Sequence, residues 1–399
     1  MRILFVADGR SPIALNWIAF FAQGGHETHL VSTFPCQPEL PLASLQVLTV
    51  AFAQTAGVST GRGSRAALRA ALPVGLRTAL RQWLAPLSLA GAAQRLRQVI
   101  QRLQPDLVHA LRIPYEGMLA VLAASDSAGS DRFPALILSV WGNDFTLHAT
   151  ANPLLARLTR LSLRRADALL ADCQRDLRLA RQWGFASCKP SAVFPGGGGV
   201  QLDIFYPPEP QHQPDNLPPQ VINPRGVRAY VQNRAFFRAI PLVLRAHPST
   251  RFICPAMAGD PRVRRWVEEL GISGSVELLP PQTRPQMAQH FRRACVAVSP
   301  TTHDGTPNTL LEAMACGCFP IAGDLEPLRE WVVSGENGLL VDPRQPYALA
   351  QAMITALDDA ALRQRARERN LRLVAERADY RRVMAGVESF YRSLLPGDF

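Results

Sequence analysis

Lysine is almost missing from this chain of 399 residues. Lys189 is the only lysine, and the other basic residues are arginines. Pyridoxal-phosphate enzymes need a lysine that holds their cofactor as a Schiff base. Lys189 lies in the motif SCKPS, ahead of a linker-like segment, which is a poor place for such a site. We therefore expect no bound cofactor.

Cysteine patterns that hold metals or build disulfide frameworks are missing too. The seven cysteines are an odd number with irregular spacing, so no disulfide framework is predicted. Cys316 and Cys318 form a C-x-C motif without a second Cys or His pair nearby, which argues against zinc. The chain also has no Asp-x-Asp pair that could hold a divalent metal on a diphosphate. We expect no metal site.

Long apolar runs are absent as well. No stretch reaches the roughly 18 apolar residues that suggest a membrane-spanning helix. The first residues, MRILFVADGR, are typical of a strand rather than a signal peptide. These two features predict a cytoplasmic protein.

Short apolar runs separated by helical patterns fill both halves of the chain. Such alternation indicates βαβ units and a parallel sheet. A Pro-rich polar segment separates the halves and reads as a linker. The sequence thus predicts an α/β protein of two Rossmann-like domains, with this division: residues 1–200, a linker at 201–219, residues 220–379 and a last helix at 380–399.

The most informative stretch is SPTTHDGTPNTLLEAMACGCFPIAG, residues 299–323. It predicts a loop with Asp304, a short helix that carries Glu312 and stops at Gly317, and a buried strand. Backbone N–H groups at a helix start bind phosphate, and Pro307 suits the first helical turn. A carboxylate farther along the helix can accept hydrogen bonds from ribose hydroxyls. The stretch therefore indicates a site for a nucleotide diphosphate bearing a polyhydroxy group.

This stretch resembles the donor-binding signature of the retaining glycosyltransferases of family 4, although Asp304 stands where the family usually has Glu. Segments 105–110 (PDLVHA), 141–149 (WGNDFTLHA), 193–208 and 221–233 resemble other parts of the same family. The resemblance implies the GT-B fold, in which two Rossmann-like domains face each other across a cleft. It also implies that the helix at 380–399 returns to the first domain.

The resemblance implies roles for particular residues. Arg225 takes the position of an arginine that clamps the donor diphosphate, and Asp304 would orient the donor sugar. The lysine that normally completes the clamp is missing, and Arg228, Asn233 and Arg234 are open alternatives for its replacement. Asp144 is either a turn former or a group on the catalytic or acceptor side, and Trp141 is either a packing residue or a wall for a sugar. His109, at the end of a strand, has either a catalytic role in the cleft or a capping or packing role. The remaining donor-binding candidates are Gly305, Thr306, Pro307, Asn308, Thr309 and Glu312.

The implied function is transfer of a sugar from a nucleotide-sugar, usually a UDP-sugar in this family, to an acceptor hydroxyl. The reaction would retain configuration and need no metal. The acceptor would be a saccharide or a lipid-linked glycan in the synthesis of cell-surface glycans or glycolipids. Two alternatives stay open: a nucleotide-sugar-binding GT-B protein without transfer activity, and a nucleotide-sugar epimerase.

A basic segment adds a prediction about location. Residues 41–105 contain no acidic residue, and the formal net charge of the whole chain is +11. A basic amphipathic stretch is typical of a membrane-surface element. No nucleic-acid motif accompanies it. We expect peripheral contact with an anionic membrane, against the alternative of a solvated face, through the arginines at 62, 65, 69, 77, 81, 95, 97 and 102.

Overall fold

The structure, a computed structural model, describes residues 1–50, 89–125, 133–209 and 217–395. The arginines at 62, 65, 69, 77 and 81 therefore lie outside the described residues. No helix in the described part of the chain is long and apolar enough to span a membrane. The chain forms two compact units: the first is Met1–Gly198 with Met384–Phe399, and the second is Gly199–Val383.

The first unit contains a seven-stranded sheet in which every neighbouring pair of strands is parallel. The strand order is β3-β2-β1-β4-β5-β6-β7. The strands are β1 (Arg2–Ala7), β2 (Glu27–Ser32), β3 (Ser44–Val47), β4 (Leu107–Ala110), β5 (Ala135–Val140), β6 (Ala168–Ala171) and β7 (Ser191–Val193). Its α-helices among the described residues up to 198 are α1 (Pro12–Gln23), α2 (Leu89–Leu103), α3 (Met118–Ser125), α4 (Pro153–Arg165) and α5 (Gln174–Gln182).

The second unit contains a six-stranded sheet, again with parallel neighbours, in the order β10-β9-β8-β11-β12-β13. Its strands are β8 (Gln220–Ile222), β9 (Arg251–Cys254), β10 (Val276–Leu278), β11 (Val296–Ser299), β12 (Phe319–Gly323) and β13 (Leu339–Val341). Its helices are α6 (Asn233–Ala246), α7 (Pro261–Glu269), α8 (Arg284–Arg293), α9 (Asn308–Ala315), α10 (Glu326–Arg329), α11 (Pro346–Asp358) and α12 (Ala360–Arg377).

Both strand orders run outward in two directions from the first and fourth strands, as in Rossmann folds. The α/β class and the two Rossmann-like halves predicted from the sequence are confirmed. In both sheets the order reverses between the two central strands, β1 and β4 in the first unit and β8 and β11 in the second. Ligands in such sheets bind outside the carboxyl ends of the strands at this point.

The local sequence explains where several helices begin. A capping side chain followed by proline starts α1 at Ser11, α4 at Asn152 and α7 at Asp260. The capping oxygen accepts a backbone N–H of the first turn, and proline has no N–H that would stay unpaired there. Apart from Arg2, His109 and Ser299, strands β1, β4 and β11 consist of apolar residues, and they are buried as expected for parallel sheets covered by helices.

The stretch predicted as a linker, 201–219, is grouped with the second unit where it is described. Phe205 from this stretch and Val200 just before it are buried in one of that unit's apolar clusters. Gly199 shows why the chain needs glycine at this position. Its φ is +93°, and a Cβ there would lie 2.4 Å from the carbonyl oxygen of Ala378.

The last helix, α13 (Tyr380–Ser393), passes from the second unit into the first. Tyr391 on this helix is fully buried in the first unit. Its hydroxyl accepts the indole N–H of Trp17 over 3.0 Å and contacts Nδ1 of His109. The other ring nitrogen of His109 lies 2.8 Å from Oγ of Ser139. These bonds join α13 to α1 and to the centre of the first sheet.

We expect the change Tyr391→Phe to destabilise the first unit. It would leave the indole N–H of Trp17 and a nitrogen of His109 buried without their partner, at a cost of about 1–3 kcal/mol for each group. The measurement is the midpoint of urea unfolding followed by circular dichroism. Tyr347→Phe is the control, because Tyr347 is 67% exposed. Equal midpoints for both variants would contradict the stabilising role of this hydroxyl.

Candidate functional site

The predicted donor residues come together at the carboxyl edge of the second sheet. Arg225 follows β8 and Asp304 follows β11, the two central strands. Nη2 of Arg225 lies 2.7 Å from Oδ2 of Asp304, and Nη1 donates to Oγ1 of Thr309 over 3.2 Å. Nε of Arg225 is buried and has no hydrogen-bond partner among the described residues. The guanidinium thus keeps a free donor at this strand edge.

The loop that carries Arg225 is braced by two asparagines. Oδ1 of Asn223 accepts the N–H of Arg225 over 3.2 Å, and its amide donates to Asn233 over 3.1 Å. The amide of Asn233 donates in turn to the carbonyl of Gly226 over 2.9 Å. Asn233 is 3% exposed, so it holds the loop rather than binding a ligand. This corrects its assignment as a candidate replacement for the missing lysine.

Backbone hydrogen bonds tie the loop after β8 to the loop after β11. The N–H and hydroxyl of Thr302 both donate to the carbonyl of Tyr230, over 2.9 and 3.1 Å. The N–H of Gln232 donates to the carbonyl of Pro300 over 2.8 Å. The two loops therefore hold Arg225 and Asp304 as one connected piece.

The start of α9 completes the site. The helix begins at Asn308, so Pro307 caps it in an extended conformation instead of lying in its first turn as predicted. Gly317 has a φ of +87° just beyond the helix, which confirms the predicted stop. Thr306 is fixed by a 3.2 Å bond from the indole of Trp331, and Oδ1 of Asn308 is buried without a partner among the described residues. Gly305 lies buried between Asp304 and Thr306.

Burial shifts the ionisation of both acids of the motif. Burial raises the pKa of Asp304 above its ordinary value, while Arg225 opposes the rise. For Glu312, burial raises the pKa to about 7 against the opposing charges of Arg284 and Arg225. Glu312 therefore takes up and releases its proton near neutral pH.

Two arginines remain as candidates for the second cation of the clamp. Arg228 is exposed, donates to the hydroxyl of Tyr230 over 2.9 Å and is close enough to lower the pKa of Asp304. Arg234 is exposed on the first turn of α6. Only Arg228 thus combines a side-chain anchor with an electrostatic effect on the site.

In the first unit, Asp144 follows β5 and is 2% exposed. Oδ1 accepts from Arg112 over 2.6 Å, and Oδ2 accepts the N–H groups of Ile113 and Trp141, each over 3.2 Å. These bonds use both oxygens to hold loops. The assignment of Asp144 to the catalytic or acceptor side stays a prediction.

His109 lies in the core of the first unit and is 0% exposed. Burial lowers its pKa to about 3, so the ring is neutral, and both nitrogens have partners. The structure therefore favours the packing role of His109 over the catalytic one.

Sequence reasoning missed a group of buried charges in the first unit. Glu116 follows β4, and Asp172, Arg175 and Asp176 follow β6. Burial raises the pKa of Glu116 to about 7. The signal that could have found them is charge placed directly after an apolar strand, as in ALLADCQRD.

Asp172, Cys173 and Asp176 are the group in the described chain whose ligand atoms are close enough for a metal, within 4.8 Å of one another. Their chemistry does not suit a cation. Arg175 already neutralises Asp176 at 2.7 Å, and burial raises the pKa of the Cys173 thiol far above its ordinary value. The metal ligand form of cysteine is the thiolate.

Two family models match the chain, one in each unit. The model described as "Glycosyl transferase 4-like" matches residues 2–173, and "Glycosyl transferases group 1" matches residues 228–359. The chain belongs to the family 4 glycosyltransferases. The second match begins at Arg228 and includes the loop of Asp304 and helix α9 with Glu312.

Curated relatives agree with this family. A D-inositol 3-phosphate glycosyltransferase of Paenarthrobacter aurescens is 31% identical over 143 residues, 35% of this chain and 34% of the relative. One of Streptomyces avermitilis is 27% identical over 214 residues, 49% of this chain and 46% of the relative. The chain thus matches less than half the length of these relatives.

Solved structures show the GT-B fold over nearly the whole chain. Sucrose-phosphate synthase from Thermosynechococcus elongatus has a TM-score of 0.73 at 16% identity and covers 98% of both chains. The Anabaena protein HepE, solved in complex with UDP-glucose, has a TM-score of 0.70 at 18% identity, covering 98% of this chain and 99% of that one. The predicted family and GT-B fold are confirmed.

The two acids with a raised pKa predict a pH dependence of stability. Glu116 and Glu312 shift from an ordinary pKa of 4.5 to about 7 in the folded protein. Between these values the folded state holds extra protons, so stability falls as pH rises from about 5 to about 7 and then levels off. The neutral side chains of Glu116→Gln and Glu312→Gln lack this titration. As pH rises over this range, we expect the free energy of unfolding of each variant to increase relative to that of wild type by on the order of 2 kcal/mol.

Urea unfolding at pH 5, 7 and 8.5 measures this effect. Glu269→Gln, on the exposed surface of α7, is the matched control and should follow the wild-type curve. If the two site variants also stay parallel to wild type at all three pH values, the carboxyl groups are not protonated near neutral pH.

Proposed function

We propose that this protein is a retaining glycosyltransferase that transfers a sugar from a UDP-sugar to an acceptor hydroxyl. The observation that carries the proposal is the Arg225 guanidinium. It lies beside the start of α9, bonded to Asp304 and Thr309, and its Nε lacks a partner among the described residues. Such a site suits a group that gains negative charge during a reaction.

The leaving diphosphate is that group. Transfer breaks the bond between the sugar and the diphosphate oxygen, and charge grows on this oxygen in the transition state. Arg225 and the first N–H groups of α9 would stabilise it, since a helix start favours anions. Glu312, on the same helix, would accept hydrogen bonds from ribose hydroxyls in its ionised form. The charge therefore comes from the protein, and the proposed reaction needs no metal.

Asp304 would have two tasks in this reaction. Its side chain is one methylene shorter than the glutamate usual in the family, and Oδ2 is bonded to Arg225 over 2.7 Å. The carboxylate can fix the direction of the guanidinium while its other oxygen faces the donor sugar. We propose that Asp304 orients both the clamp and the sugar.

Relatives suggest the substrates. HepE was solved with UDP-glucose, and the curated relatives named above are D-inositol 3-phosphate glycosyltransferases. We propose a UDP-hexose as the donor and a polyhydroxy acceptor, such as a saccharide or a lipid-linked glycan. A cytoplasmic location with peripheral membrane contact through the basic segment at 62–102 stays a prediction.

Turnover of the Arg225→Ala variant tests the proposed function. With UDP-glucose and a mixed acceptor pool in EDTA, wild type should release UDP, and the variant should lose about 100-fold or more in kcat with a smaller change in KM. Arg238→Ala is the control, because Arg238 is an exposed arginine farther along α6 that is not a candidate for the clamp. Analysis of the anomeric product tests retention.

Three outcomes would contradict the proposal. Normal turnover of Arg225→Ala would mean that the clamp lies elsewhere. Activity that disappears in EDTA and returns with Mg²⁺ or Mn²⁺ would contradict the metal-independent mechanism. Binding of UDP-glucose without transfer or hydrolysis by wild type, across a panel of UDP-sugars and acceptors, would favour the binding-protein alternative.

We further propose that Arg228 replaces the missing lysine of the diphosphate clamp. Arg228→Ala should weaken UDP binding about tenfold or more, the value of a charge-assisted hydrogen bond, and leave uridine binding unchanged. Calorimetry with UDP and uridine separates the phosphates from the nucleoside. Unchanged UDP binding, or an equal loss for both ligands, would remove Arg228 from the clamp. A loss of UDP binding in Arg234→Ala alone would support the other candidate, Arg234.

A further inference from the structure

Helix α8 begins with an arginine at a place where a positive charge is unfavourable. Arg284 is the first residue of the helix, and the first turn contains no acidic residue. The N-terminal end of a helix carries a partial positive charge, which favours anions and disfavours cations. An arginine at this position therefore indicates that groups on neighbouring elements compensate its charge.

The start of α8 fixes the position and the direction of the Arg284 side chain. The N–H of Thr283, the residue before the helix, donates to Oε1 of Gln286 over 2.9 Å. Pro285 follows in the first turn, where it has no N–H that would stay unpaired. Nη1 of Arg284 donates to Oε1 of Gln201 over 3.1 Å. Gln201, on the segment that precedes β8, thus directs the guanidinium.

Glu312 on α9 is the anionic neighbour of Arg284. Helices α8 and α9 pack in one apolar cluster, to which they contribute Phe291 and Leu311. Burial raises the pKa of Glu312 to about 7, and of the two arginines that oppose this rise, Arg284 has the larger effect and Arg225 the smaller. Both Arg284 and Glu312 are half-buried, so water and salt screen their attraction less than at an open surface.

The other arginine near Glu312 is committed to a different acid. Nη2 of Arg225 lies 2.7 Å from Oδ2 of Asp304. We propose that Arg284, directed by Gln201, is a positioning residue that keeps Glu312 in its carboxylate form. A carboxylate accepts hydrogen bonds on both oxygens, whereas the protonated acid uses one oxygen as a donor. The inference rests on the proposed function only in naming ribose hydroxyls as the groups that Glu312 binds.

Two further titratable groups lie near this pair, and both stay neutral around pH 7. Burial raises the pKa of Cys316, just beyond α9, to about 12. Burial also raises the pKa of Tyr380, at the start of α13 and close enough to feel the charge of Arg284, to about 12. A titration of Glu312 near neutral pH is therefore not caused by a change of charge on these two groups.

Carbon-13 NMR of the full chain, labelled at the side-chain carboxyl of glutamate, follows this titration directly. The label leaves Asp304 out of the spectrum, and Glu312→Gln identifies the signal of Glu312 by its loss. We expect the midpoint in Arg284→Gln to lie above that of wild type by about one pH unit or more, because a nearby opposite charge lowers the pKa of a carboxyl group by about that amount. Arg284→Lys keeps the charge and should recover most of the difference.

Arg292→Gln is the matched control. Arg292 is a half-buried arginine of the same helix, and it also donates to the segment before β8, at the carbonyl of Ile204 over 3.1 Å. It is not among the charges that act on Glu312. Its replacement should leave the midpoint of Glu312 unchanged, whereas Gln201→Ala should raise the midpoint, as Arg284→Gln does.

Calorimetry with UDP measures the consequence for binding. If the midpoint rises from about 7 to about 8, the ionised fraction of Glu312 at pH 7 falls from about one half to about one tenth. UDP binding by Arg284→Gln should then be about fivefold weaker than wild type at pH 7 and less than about twofold weaker at pH 8.5. A merely structural defect would weaken binding equally at both pH values.

The outcomes distinguish this inference from the proposed function. An unchanged midpoint in Arg284→Gln, or an equal rise in Arg292→Gln, would overturn the role of Arg284. An unchanged midpoint in Gln201→Ala would overturn the role of Gln201. The expected shift of the midpoint in a protein that neither binds UDP nor transfers a sugar would leave the effect of Arg284 on Glu312 standing and refute the proposed function.

Discussion

The ion pair between Arg225 and Asp304 is the interaction on which the carboxyl edge of the second sheet depends. It joins the loops after β8 and β11, the two strands where the strand order reverses. Removing one partner of a buried pair costs about 3–5 kcal/mol, because the other charge is left uncompensated. The same pair sets the direction of the guanidinium beside α9. Loss of either residue would therefore disturb both the arrangement of the two loops and the position of the positive charge at this edge.

Local patterns were enough to predict the architecture. Apolar runs bounded by turns predicted parallel strands, and the motif around α9 predicted a helix that ends at Gly317 and a buried strand at FPIAG. These features depend on neighbours in sequence, such as a glycine that can adopt a positive φ. Pro307 was placed one position too far into the helix, because capping and first-turn positions favour proline for similar reasons.

Side-chain partners could not be predicted, since they come from distant parts of the chain. Asn233 was a binding candidate by position, but its amide is used by Asn223 and Gly226. His109 ends a strand as predicted, yet Tyr391, 282 residues later, fills the space beside its ring. The burial of the charged residues after β6 was not predicted, because a charged residue is expected at the surface when its neighbours in the fold are unknown.

The position of α13 has a consequence for how the protein folds during synthesis. Domains generally fold as units while the chain is being made, with N-terminal parts first. The second unit is continuous in sequence, whereas the first unit needs Tyr391 to satisfy polar groups on α1 and β4. The part of the chain made first therefore completes its packing last. Until residue 391 has left the ribosome, Trp17 and His109 in the nascent first unit lack the hydroxyl that pairs with them in the folded protein.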